Sequence, residues 1–162
     1  MPATPDRAWH FPQVETSTIS DITTILGFDY GARRIGVAVG NALTRSARAL
    51  AVVANTAQGP DWQRLDALLR EWHPQALLVG LPLTMDGAEQ ANSRNARAFA
   101  DALAARYGIA PQLVDERMSS QEAARRFAER RARGESRRKD AQALDAVAAE
   151  IIVETWLGHA AS

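Results

Sequence analysis

Thr24-Ile25-Leu26-Gly27-Phe28-Asp29-Tyr30-Gly31 is an apolar, β-rich run that ends in a carboxylate and a glycine. Such a run reads as a central strand with a charge at its last position, followed by a turn that Gly31 makes easy. Two more runs follow at 35–40 and 47–54, separated by short turns containing Gly31, Arg33, Asn41 and Thr44. The spacing predicts an antiparallel three-strand meander. Pro60 and Asp61 then open a helical pattern in which Trp62, Leu65, Leu68, Leu69 and Trp72 recur at three- and four-residue steps, and Pro74 stops it. Residues 76–81 are continuously apolar, as expected of a buried parallel strand. A second helix is expected over about 89–107, ending at Gly108, then a short strand over 111–115. A third helix over 119–132, an irregular basic loop over 133–139 and a fourth helix over 141–157 complete the order βββαβαβαα. A meander followed by βα units implies an α/β fold with a mixed five-stranded sheet flanked by helices. In such sheets, sites gather at the carboxyl ends of the parallel strands.

The chain has 162 residues, enough for one domain and one core. Residues 1–22 carry three prolines and no sustained period, so a disordered extension is expected there, followed by a folded domain over 23–158. An apolar share of 46% and a charged share of 23% exclude collagen-like and largely disordered classes. With no apolar run of membrane or signal-peptide length, no membrane partner is expected and cytoplasmic residence is the default. The absence of cysteine excludes disulfides, Cys-type zinc sites and thiol nucleophiles, so a metal would need oxygen or histidine. Net charge is zero, yet between Arg125 and Lys139 eight basic residues face two acidic ones. Such a block can attract phosphate backbones even on a neutral protein; alternatively it is a solvated face. The segment 133–139 has no apolar anchor and is expected to be mobile without substrate and to bind phosphates with it.

Three carboxylates stand out. Asp29 closes the first strand. Glu116 follows Gln112-Leu113-Val114-Asp115, and strand alternation sends Asp115 and Glu116 to opposite faces, so one of them faces a site. Arg117 beside them could form an ion pair instead. Asp145 has Ala148, Ala149 and Ile152 three, four and seven positions on, which places it on an apolar helical stripe. A carboxylate there needs a cation, a proton or a metal, and an arginine could serve. Asp140 reads as a solvated residue or a helix-start cap. His10, His73 and His159 lie in a tail, before a proline and near the C-terminus, and none is placed for catalysis. Asp29, Glu116 and Asp145 together make a hard oxygen set suited to Mg²⁺ or Mn²⁺, as one ion or as two about 4 Å apart. Without a bound phosphate such a site holds Mg²⁺ weakly, so the metal is expected to be lost in the absence of substrate.

These residues resemble the YqgF (RuvX) family of bacterial RNase H-like proteins, described as Holliday junction resolvases and as pre-16S rRNA nucleases. The resemblance runs from about Ile25 to Leu157. Its pieces are Gly27-Phe28-Asp29-Tyr30-Gly31 with Arg34-Ile35-Gly36-Val37-Ala38, then Val79-Gly80-Leu81-Pro82-Leu83 with Met85-Asp86-Gly87, then Asp115-Glu116-Arg117, and Asp145. It implies an RNase H-like fold and puts the family's three acidic positions on Asp29, Glu116 and Asp145. The family's basic residue before the last helix falls on Lys139. Where members usually carry Thr, this chain has Ser119-Ser120, which keeps a hydroxyl. The expected function is a Mg²⁺-dependent nuclease, with Asp29, Glu116, Asp145 and Lys139 catalytic. Arg117, Ser120, Arg133, Arg137, Arg138 and Lys139 are the expected nucleic-acid contacts. The implied partners are precursor rRNA, with the ribosome, or branched DNA, and the chain is expected to be a monomer or a weak homodimer. Two other readings compete. Sugar kinases and actin-like ATPases share an Asp-x-Gly turn, but they need two domains and a second phosphate loop. A non-catalytic nucleic-acid or transcription module would have no use for all three acids.

Overall fold

The structure, a computed structural model, describes residues 22–117, 125, 128, 129 and 140–160. The three apolar runs form the expected meander: β1 (Thr24–Tyr30), β2 (Arg34–Asn41) and β3 (Ser46–Thr56) pair antiparallel in succession. β3 runs past its expected end and folds back onto a two-residue strand, β4 (Gly59–Pro60), so the sheet has six strands rather than five. Two local properties account for the extra strand. Gly59 adopts φ 112°, which closes the tight hairpin, and Pro60, which lacks an N–H, lies on an outer strand where no donor is needed. Pro60 therefore belongs to the sheet, and the helix α1 (Trp62–Trp72) begins after Asp61, whose carboxylate accepts the Arg64 N–H at 3.2 Å.

β5 (Ala76–Leu81), buried at every position, pairs parallel to β1, and β6 (Gln112–Asp115) pairs parallel to β5. The strand order β4-β3-β2-β1-β5-β6, with β1 central between meander and parallel strands, is the RNase H-like arrangement. α2 (Ala91–Tyr107) starts slightly later than expected because Gln90 and Ser93 cap each other reciprocally. It ends at Gly108, as read from the sequence. α3 (Asp140–Ala160) is the last helix. Of the helix expected over 119–132, Arg125, Ala128 and Glu129 are helical; the remainder, the basic segment 133–139 and residues 1–21 lie outside the described residues. Among the described residues no helix is long and apolar enough to cross a membrane.

Strand alternation divides the core between the two faces of the sheet. Leu26, Phe28, Ile35, Val37, Leu77 and Val79 pack against Leu65 and Leu69 of α1 and Phe99 and Leu103 of α2. Ile25, Ala38, Ala76 and Leu78 pack against Ala149, Ile152, Val153 and Leu157 of α3 on the other side. The α1–α2 layer is clamped by a fork: Arg106 donates to both carboxylate oxygens of Asp66, at 2.8 and 2.7 Å, and the Tyr107 hydroxyl donates to Asp66 at 2.7 Å. The α3 face carries the acids.

Candidate active site

The period of two that buries Ile25 under α3 also sends Gly27 and Asp29 to that face, and Arg34, Gly36, Ala38 and Gly40 follow suit on β2. Three of those positions are glycine for reasons of space. A Cβ at Gly27 or at Gly40 would overlap the Val153 side chain, and one at Gly36 would overlap the carbonyl oxygen of Asp145. The backbone of α3 therefore rests on the sheet at Gly36, the residue paired with Asp29 across the β1–β2 ladder. That seat brings Asp145 over the end of β1.

Glu116 arrives from the other side. It follows β6, its N–H bonds the Leu81 carbonyl at 3.1 Å, and its side chain lies against Gly80, where a Cβ would stand 2.6 Å from Oε2. Glu116 is only 8% exposed, whereas Asp115 points outward. The expected division of the two acids between opposite faces holds. Asp115 grips Arg117 through Nε at 2.9 Å and Nη2 at 2.5 Å, and Arg117 also donates to the Met85 carbonyl at 3.3 Å. Arg117 thus forms the ion pair weighed as the alternative to a site acid, and forms it with Asp115 rather than with Glu116.

Asp29 and Glu116 meet. The Glu116 carboxyl donates a hydrogen bond to the Asp29 carboxylate, and Asp145 is near enough for its charge to act on Asp29. Burial, then the charge of Asp29, their shared hydrogen bond and the charge of Asp115 push Glu116 from its ordinary 4.5 up to about 9. Burial also raises Asp29, from 3.8 to about 6, helped by the charge of Asp145 and opposed by the bond from Glu116. Two carboxyls so close and so shielded from water resist ionising together, which favours one proton held between them. Asp145 is neutralised differently: Arg34 Nε donates to its Oδ2 at 2.8 Å. This is the arginine that the apolar stripe around Asp145 required. It was missed as a site residue because 111 residues separate the pair.

The expected convergence of all three acids on one point is only partly met. Among the described residues no three His, Asp or Glu side chains are spaced as ligands of one ion. Burial and mutual charge favour a proton between two of them, and a guanidinium holds the third. The donor set itself, all carboxylate oxygen at the ends of β1 and β6 and on α3, fits Mg²⁺ or Mn²⁺. Ser120, Arg133, Arg137, Arg138 and Lys139 lie outside the described residues.

The shared proton has a measurable consequence. Glu116 is raised in the folded chain, so the stability tied to its protonated form is complete below pH 4.5 and is lost as the pH climbs toward about 9. Gln at this position keeps a donor for Asp29 and cannot ionise. Glu116→Gln should therefore melt with the native chain near pH 4 and progressively above it at higher pH, the gap reaching roughly 3 kcal/mol at pH 7. Thermal melts across pH 4–9 check this; a gap that does not grow with pH contradicts the shared proton.

Residues 23–159 match the model of the family described as "RuvX: Holliday junction resolvase". The chain is 54% identical to a protein of Xanthomonas campestris pv. campestris (strain B100) named "Putative pre-16S rRNA nuclease", over 88% of this chain and 92% of that one. A protein of the same name from Xanthomonas oryzae pv. oryzae (strain PXO99A) matches to the same extent. Among solved structures, T. thermophilus RuvC in complex with Holliday junction substrate aligns with 80% of this chain and 91% of its own, at 20% identity and a TM-score of 0.47. By the extent of its match to the family model and its identity to these relatives, the chain belongs to the RuvX family.

Proposed function

We propose that this chain is a divalent-metal-dependent nuclease that hydrolyses phosphodiester bonds in maturation of the 16S rRNA 5′ end. The observation that carries the reading is the pairing of half-buried Asp29 with buried Glu116 at the carboxyl ends of β1 and β6, with Asp145 held over it by the Gly36 seat. A structural role would favour apolar groups there, since burying ionisable carboxyls costs several kcal/mol unless they are compensated. The proposed ligands of a metal are Asp29, Glu116 and Asp145. When bound, Mg²⁺ or Mn²⁺ would supply positive charge for the phosphate oxygens and lower the pKa of an attacking water.

The chain's own residues perform the remaining tasks. Glu116 holds a proton at neutral pH and must release it to become a ligand, so metal uptake should liberate about one proton per site. Gly80 and Gly36 leave room for the acids to sit against backbone rather than against side chains. Lys139 is proposed to stabilise the negative charge that develops on the scissile phosphate, and Ser120, Arg133, Arg137 and Arg138 to bind flanking phosphates. Arg117 could join them only by leaving Asp115.

The names of the relatives support precursor rRNA as the substrate, and the family's description supports four-way DNA as the second reading. Cleavage should be assayed on a precursor 16S rRNA fragment with its 5′ extension, on single-stranded DNA and on a four-way junction, with Mg²⁺ and with chelator. The expected result is cutting of the rRNA fragment that chelator abolishes. Junction cleavage alone would support the second reading, and cleavage of none of the three would remove the nuclease assignment.

A further inference from the structure

Arg34 begins β2, on the sheet edge where β1 ends, and faces α3 two residues before the Gly36 seat. It meets Asp145 through one bond, Nε to Oδ2 at 2.8 Å. Among the described residues the other arginine–aspartate pairs are forks. Arg106 grips Asp66 with two nitrogens on two oxygens, and Arg117 grips Asp115 with Nε and Nη2. Forked pairs fix geometry, whereas a single-point contact is readily exchanged. The Arg34 and Asp145 side chains are 38% and 26% exposed, so water and ions reach the contact and its net strength is small.

We propose that Arg34 is a resident counter-cation for Asp145, which gives up the carboxylate when a divalent cation binds to Asp29, Glu116 and Asp145. This rests on the metal reading above. Without the cation, Arg34 keeps Asp145 neutralised over an apolar stripe where a bare carboxylate would be costly. With it, Asp145 takes the metal's charge, and the guanidinium swings to the exposed side of the site. Arg34 is thus a positioning residue of the metal-free state and a competitor of the metal, distinct from the three ligands.

Calorimetry with Mn²⁺ on the full chain distinguishes competitor from support. A competitor's removal strengthens binding, so Arg34→Gln should bind Mn²⁺ about two- to fivefold more tightly than the native chain. Arg34→Lys, which keeps the charge, should fall between them. Equal or weaker Mn²⁺ binding by Arg34→Gln overturns the proposal, because a residue that orients Asp145 for the metal gives that result. Should Arg34→Gln not fold, the native chain carries the test through the Arg34 Nε–H signal in a ¹H–¹⁵N spectrum. Added Mg²⁺ should shift that signal and speed its exchange with water, and an unchanged signal at saturating Mg²⁺ overturns the proposal. Asp29→Asn separates the two claims. If the native chain binds no Mn²⁺ even with the precursor rRNA fragment present, or Asp29→Asn binds it equally well, the metal reading itself fails; if the native chain binds through Asp29 while Arg34→Gln gains nothing, only the exchange fails.

Discussion

Asp29→Asn should lower the rate of phosphodiester cleavage by about a hundred- to a thousandfold while leaving the fold at least as stable as the native chain's. The rate should fall because Asp29 is the acid shared by both halves of the site: it accepts from Glu116 and lies within the field of Asp145. Asp29 would act by holding the metal whose charge stabilises the phosphoryl transition state, and loss of such stabilisation costs on the order of two to three powers of ten. Stability should not fall, because Asn has the same shape and its amide oxygen still accepts from Glu116. It also removes the charge that, after burial, does most to raise Glu116. The opposite signs matter, since a variant that merely unfolded would lose activity and stability together. Single-turnover cleavage of the precursor rRNA fragment, with thermal melts at pH 7, measures both. Activity within tenfold of native would take Asp29 out of the catalytic set.

Much of this arrangement can be read along the chain because it rests on local periods. The apolar run from Thr24 that ends in a carboxylate and a glycine assigns Asp29 to a strand end, and the unbroken run 76–81 marks β5 as buried on both faces. The steps of three, four and seven around Asp145 show that this carboxylate needs a partner. The partner's identity is a matter of tertiary packing. Arg34 lies a hundred residues upstream, and only the descent of α3 onto Gly36 brings the two together. The proton shared by Asp29 and Glu116 is invisible for the same reason, because it depends on Gly80 having no side chain to keep Glu116 away. β4 was lost to a different cause. Pro60 and Asp61 carry the signature of a helix start, and Asp61 is indeed the cap, but Gly59 at positive φ turns the preceding pair back into the sheet. Local propensity placed the boundary correctly to within two residues and assigned the wrong element to Pro60.

The glycine seat is the feature whose loss should cost the most stability. Alanine at Gly36 would set a methyl group on the carbonyl oxygen of Asp145, with that residue's carbonyl carbon and the Ala146 nitrogen close behind. All three are helix backbone, so no side chain can rotate to make room. α3 would have to lift from the sheet, opening the contacts of Ile25, Ala38 and Leu78 with Ala149, Ile152 and Val153. Overpacking against a yielding side chain costs about 1–3 kcal/mol, and against backbone the upper end or beyond is expected, so Gly36→Ala should lose about 3 kcal/mol or more. Lifting α3 would also draw Asp145 away from Arg34 and Asp29, and nuclease activity should fall with stability. Gly158 supplies the contrast within the same helix. Nothing lies within 4 Å of a Cβ there, so Gly158→Ala should keep activity and gain up to about 1 kcal/mol from helix propensity alone. Chemical denaturation of both variants measures the difference. A Gly36→Ala chain within about 1 kcal/mol of native would show that α3 does not rest on β2 at this point, and with it would go the account of how Asp145 reaches the site.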